Sequence, residues 1–100
     1  MSSSVVDYPW KKEWVNATAT VVDHPCSLHS ITFNGVTTAG TVTVFDALDG
    51  TVPATTMATY NIVGVSVSYQ GITFLYDCEM ETGIHIVFTT FVGNFTVMYR

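Results

Sequence analysis

Hydrophobic and polar residues alternate along much of this chain with a period of two, and no window repeats apolar residues at sustained helical spacing. Thr41 to Ala47 places Val42 and Val44 between threonines; Ile84, Ile86 and Phe88 share one parity, as do Phe95, Val97 and Tyr99. Successive side chains on a strand point to opposite faces, so each of these sets is expected to face a common core. Valine and threonine make up about a third of the chain, and their β-branched side chains fit a pleated sheet better than a helix. The pattern predicts strands at Glu13 to Val21, Cys26 to Phe33, Thr41 to Ala47, Thr56 to Ile62, Val65 to Tyr69, Ile72 to Tyr76, Ile84 to Phe91 and Phe95 to Tyr99. Ile31 and Phe33 share a face that by strict alternation also takes His29 and leaves Leu28 on the other side. Ile72 to Tyr76 is apolar on both faces, as expected of a strand with the core on one side and a second protein surface on the other.

Turn signals separate these pieces at Asn34-Gly35, Asp49-Gly50, Gln70-Gly71 and Gly93-Asn94, with further breaks at Ala39-Gly40, Gly64 and Gly83. The expected fold is all-β: a single antiparallel β-sandwich or jelly-roll-like domain of about seven or eight short strands, with no significant helix. One hundred residues suffice for one core and not two. Residues 1–12 read as an N-terminal arm and residues 13–100 as the sandwich.

Composition changes the picture at the surface. The hydrophobic fraction, 48%, is ordinary, but charged residues make up only 11%, less than half of the roughly 25% usual for soluble domains. Threonine and serine cover part of such a surface; the rest is expected to be apolar area that a partner covers. The net charge is −5, and between Glu13 and Tyr99 there is no lysine or arginine. A chain without a basic stripe has nothing to neutralise phosphates, so neither nucleic acid nor an anionic membrane is expected as partner. Residues 1–7 lack the basic and apolar regions of a secretory signal, and no stretch is long enough to span a bilayer. A reducing cytoplasm is therefore the expected site of synthesis, with Cys26 and Cys78 kept as thiols.

The segment Asp7-Tyr8-Pro9-Trp10-Lys11-Lys12-Glu13-Trp14 gathers both tryptophans and two of the three cationic side chains. Tryptophan, tyrosine and arginine dominate interface hot spots, so Tyr8, Trp10, Lys11, Lys12, Trp14 and Arg100 are the candidate partner-binding residues. Capping one end of the sandwich is the competing role for the two tryptophans.

Other chemistry finds little support. His24, Cys26, His29, Cys78 and His85 are metal-ligand types, but their spacing matches no zinc pattern. Asp77-Cys78-Glu79-Met80-Glu81 lacks the spacing of a calcium loop and reads as a solvated acidic turn. No nucleophile elbow, phosphate loop or dinucleotide fingerprint is present. No catalytic residue, metal site or cofactor is assigned, and the chain is not expected to be an enzyme.

Two segments carry a family resemblance. Gly40-Thr41-Val42-Thr43-Val44-Phe45-Asp46 running into Asp49-Gly50-Thr51, and Thr82-Gly83-Ile84-His85-Ile86-Val87-Phe88-Thr89-Thr90 followed by Phe95-Thr96-Val97-Met98-Tyr99-Arg100, resemble small β-sandwich virion proteins of tailed bacteriophages. The resemblance covers roughly the C-terminal two-thirds, and the tryptophan-rich start and the Asp77 to Glu81 segment depart from it. It implies a capsid decoration (cement) or head-fibre-like protein, on the outer surface of the virion, contacting the major capsid protein and copies of itself, commonly as a homotrimer. The competing readings are a carbohydrate- or receptor-binding sandwich, with Trp10, Tyr60 or Tyr69 as a sugar platform, and a tail or connector component of the virion.

Overall fold

Alternation, bulges and corners account for the architecture of the computed structural model, which describes residues 10–49, 55–64 and 71–100. Among these residues there are eight strands and no helix: β1 (Lys11–Val15), β2 (Ala19–Val22), β3 (Cys26–Thr38), β4 (Gly40–Asp46), β5 (Thr55–Ile62), β6 (Ile72–Met80), β7 (Ile84–Thr89) and β8 (Val92–Tyr99). Two antiparallel four-stranded sheets form, in the orders β1-β8-β3-β6 and β2-β7-β4-β5. The pairs β1 with β8, β2 with β7, β3 with β6 and β4 with β5 nest inside one another, so the chain is one long hairpin wrapped into two layers. That nesting is the jelly-roll arrangement, and the expected all-β sandwich is present. The expected strand at Val65 to Tyr69 lies outside the described residues.

The inner faces carry the predicted sets. Val42, Val44, Ile84, Ile86, Phe95 and Val97 are fully buried, and Phe88 and Tyr99 pack against them. Phe33 sits at the centre of the aromatic part of this core, with the rings of Tyr60, Phe95, Phe74 and Phe91 at 5.3, 5.5, 6.0 and 6.2 Å. Burying a side chain of this size contributes about 2–3 kcal/mol from the area removed from water.

Four expectations are corrected by the strand pairing. The stretch from Glu13 to Val21 is two strands in different sheets, because the chain turns the corner of the sandwich at residues 16–18. Asn34-Gly35 and Gly93-Asn94 are not turns but lie inside β3 and β8, where Gly35 is paired with Asn94 and Val36 with Gly93. Glycine is used there for close backbone approach beside register shifts, since a Cβ on Gly93 would fall on the Gly35 carbonyl. The β7–β8 turn lies instead at Thr90, with φ +65°. Asp77 and Glu79 are strand residues of β6, not part of an acidic turn; the turn is residues 81–83.

The fourth correction concerns His29 and Leu28. In β3, Leu28 is paired with Cys78 and Ser30 with Leu75, so the ladder slips at His29. A bulge shifts the alternation by one residue, which is why Cys26 and Leu28 share the buried side with Ile31 and Phe33. Leu28 is fully buried and His29 is displaced to the outside. Opposite the slip, Asp77 takes φ +47°.

Candidate interaction surfaces

The sequence-predicted partner residues fall mostly on one sheet. In β1, Val15 faces the core, and alternation puts Lys12 and Trp14 on the outer face of the first sheet. Trp10, immediately before β1, is half-buried and stacks on the imidazole of His29 at 4.1 Å between ring centres, with the planes 16° apart. His29 Nδ1 is in turn hydrogen-bonded to Asp77 Oδ1. Lys11 lies opposite Tyr99, and the neighbouring Arg100 exchanges backbone hydrogen bonds with Ser27 at 2.9 and 3.2 Å. Trp10, Lys11, Lys12 and Arg100 thus belong to one end of the first sheet, with Trp14 two residues further along β1. Tyr8 lies outside the described residues.

Trp14 is 58% exposed, and its Nε1–H donates to Asn94 Oδ1 at 3.3 Å. Strand register aligns Trp14 with Thr96, Thr96 with Thr32, and Thr32 with Thr73, forming a row across all four strands. Asn34 Nδ2 donates to Thr96 Oγ1 at 3.0 Å, and the hydroxyls of Thr32 and Thr73 are 2.8 Å apart. This part of the face is polar and uncharged.

The β5/β6 side of the sandwich is apolar. There a cleft of about 260 Å³ is lined by Phe33, Thr59, Tyr60, Asn61, Ile62, Ile72 and Phe74. Ile72 is 37% exposed, Phe74 38% and Leu75 67%. Neither β5 nor the stretch Ile72 to Tyr76 contains a charged residue, whereas β1, at the opposite side of the first sheet, carries Lys11, Lys12 and Glu13. Charged side chains are a common device for keeping a sheet margin from sticking to other proteins, and only one of these two margins uses it. The hydroxyl of Tyr60, whose ring lines the cleft, is hydrogen-bonded to that of Tyr76. Burial, with the Tyr76 hydrogen bond, pushes the Tyr60 phenol far above its usual range.

The candidate chemical groups are dispersed. His24 Nδ1 donates to the carbonyl of its neighbour Pro25, whereas His85 is buried against Thr20, 2.8 Å from Oγ1. Thr20 spends its hydroxyl proton on the Leu48 carbonyl, so it accepts from His85 and fixes the Nδ1–H tautomer. Cys26 pairs with Met80 and Cys78 with Leu28, making the two cysteines diagonal neighbours across β3 and β6. Both are free thiols, and burial, followed by the nearby Asp46 carboxylate, pushes both up. Among the described residues no three metal-ligating side chains converge.

Asp46 performs a structural task. Its carboxylate accepts from the backbone amides of Glu81 and Thr82 at 2.8 Å each and from Gly83 at 3.3 Å, holding the β6–β7 turn. Partial burial opposes its charge, but the three amides outweigh this and lower its pKa.

Sequence reasoning flagged the Ile72 to Tyr76 strip but missed the contribution of β5. The available signal was the complete lack of charge from Thr55 to Ile62. Comparison of the chain with protein-family models, with curated proteins and with solved structures gives no match in any of the three.

Proposed function

We propose that this chain is a structural subunit that attaches to a larger protein assembly by its β5/β6 side, without catalysis. The carrying observation is the uncharged margin with Ile72, Phe74 and Leu75 beside an apolar cleft. Covering Leu75 alone, two-thirds of which meets solvent, supplies about 1–2 kcal/mol. The cleft between the sheets accepts a protruding apolar side chain of the partner, a geometry in which hot-spot contacts concentrate.

The resemblance to tailed-phage virion proteins supplies the assembly: the outer surface of a capsid, where the chain acts as a decoration protein. Such a protein prefers the assembled lattice to its free subunits and stabilises the shell by mass action. The major capsid protein and copies of this chain, as a homotrimer, are the proposed partners. Trp10, Lys11, Lys12 and Arg100 form a second contact in this reading, the cations meeting acidic groups of a neighbouring subunit.

Co-sedimentation with particles of the phage that encodes the chain tests the proposal. Wild type pellets with the particles, and Phe74→Glu with Leu75→Glu stays in the supernatant while keeping its β-sheet circular dichroism. Pelleting of the folded double variant at the wild-type level would remove the β5/β6 side from the account.

A further inference from the structure

The row Trp14–Thr96–Thr32–Thr73 lies on a different surface from the β5/β6 cleft and has a different chemistry. Strands are about 4.8 Å apart, so four in register carry the row over about 14 Å, the length of a short linear oligosaccharide. One end is an aromatic ring that is largely open to solvent yet fixed in orientation by its Nε1–H bond to Asn94. The rest is hydroxyl and amide: Thr96 is tied to Asn34, and Thr32 to Thr73. These bonds hold the groups in place without exhausting them. An asparagine side chain has two N–H donors and two lone pairs, and each threonine hydroxyl has more than one hydrogen-bonding site. No charged residue belongs to the row or to its two flanking asparagines; Lys12 enters only in the adjacent row.

We propose that this face binds a neutral oligosaccharide. The C–H face of one pyranose stacks on the Trp14 indole. Hydroxyls of that sugar and its neighbours exchange hydrogen bonds with Asn94, Thr96, Asn34 and Thr32. The chemistry favours sugar over a protein partner for two reasons. Apart from the indole, the row offers no apolar side chain to desolvate. Its directional groups also recur at the strand spacing, and a linear polymer of hydroxylated rings can answer such a repeat. Neutrality selects against sulfated and sialylated glycans, which require cationic partners. The proposal goes beyond attachment through the β5/β6 side and does not depend on it. Docking of Ile72 and Phe74 through the cleft covers the inner side of β6; on the outer face only Leu75 and Lys12, in the row next to Trp14–Thr96–Thr32–Thr73, belong to the proposed protein contacts, so the row itself is left to meet a glycan.

The test titrates the full chain with cellotetraose, chitotetraose, mannotetraose and maltotetraose, following tryptophan fluorescence and amide NMR shifts. At least one should bind, shifting the amides of Trp14, Asn94, Thr96 and Thr32, with affinity unchanged between low and high salt. Trp14→Ala should weaken that binding about tenfold or more, whereas Trp14→Phe, which keeps a ring, retains part of it. Asn94→Ala should reduce it several-fold, with the fold verified by circular dichroism. Silence toward all four sugars, undiminished binding by folded Trp14→Ala, or a response confined to acidic glycans and abolished by salt would each overturn the proposal. Loss of co-sedimentation by Trp14→Ala would also overturn it, by making this face a protein contact. Loss caused by Phe74→Glu with Leu75→Glu leaves the sugar proposal standing, so the two failures are distinguishable.

Discussion

Trp10 lies almost parallel on the imidazole of His29, so the first described residue of the chain is fastened to the bulge of β3 by ring contact. His29 is held from its other side by Asp77, whose left-handed backbone accommodates the same bulge. The N-terminal entry to the sandwich therefore depends on a residue that strict alternation would have placed inside.

Removing the ring should free that entry. His29→Ala is expected to cost about 1 kcal/mol, the usual worth of an aromatic pair beyond its area. Trp10 should move into water, seen as a red-shifted fluorescence component that Trp10→Phe eliminates. Unchanged emission would mean that the stack does not hold Trp10.

Asp46 sets an acid-side limit on stability. Its pKa is lower in the folded chain than in the unfolded one, so the native state favours the carboxylate. Its contribution is complete above the unfolded value near 4 and is lost as pH falls through the lower folded value. Asp46→Asn keeps one acceptor oxygen but loses the charge, and should cost about 1–2 kcal/mol at neutral pH. The variant should also show a shallower decline in melting temperature between about pH 5 and pH 2 than wild type. An equal decline in both proteins would assign the acid sensitivity to other carboxylates.

Phe33 is the shared neighbour of Tyr60, Phe74, Phe91 and Phe95 and is essentially inaccessible to solvent. Phe33→Ala should cost about 3–5 kcal/mol, a large part of the stability of a domain this size. Urea unfolding measures it; a cost below about 1 kcal/mol would contradict the central place given to this ring.

Thr90 is a β-branched residue with φ +65° in the β7–β8 turn, a conformation that suits glycine. Thr90→Gly should stabilise the chain by about 1 kcal/mol, read as a raised urea midpoint. A lowered midpoint would show that the side chain contributes more than its backbone costs.

The parts of the fold visible in the sequence are those governed by side-chain period. Val42 with Val44, Ile84 with Ile86, and Phe95 with Val97 were assignable because each strand has one buried and one wet face. What local pattern could not express was pairing between distant strands. Gly35 and Asn94 each belong to a strong turn signal, and only their partnership across β3 and β8 turns both into ladder residues. The His29 bulge is likewise a property of two strands, because the count between Leu28 and Ser30 matters only against that between Cys78 and Leu75. Of the proposed interaction surfaces, the apolar Ile72 to Tyr76 strip was readable directly. The Trp14 row was not, since its threonines are far apart in sequence and meet only through register.

Attachment through the β5/β6 side is the central claim, and hydrogen exchange on free and particle-bound protein addresses it most directly. The amides of Thr59 to Ile62 and Ile72 to Tyr76 should exchange more slowly by tenfold or more on the particle, about the effect of 1.4 kcal/mol of added protection, with β2 little changed. Protection of β2 instead, with β5 and β6 exchanging as in the free chain, would contradict it.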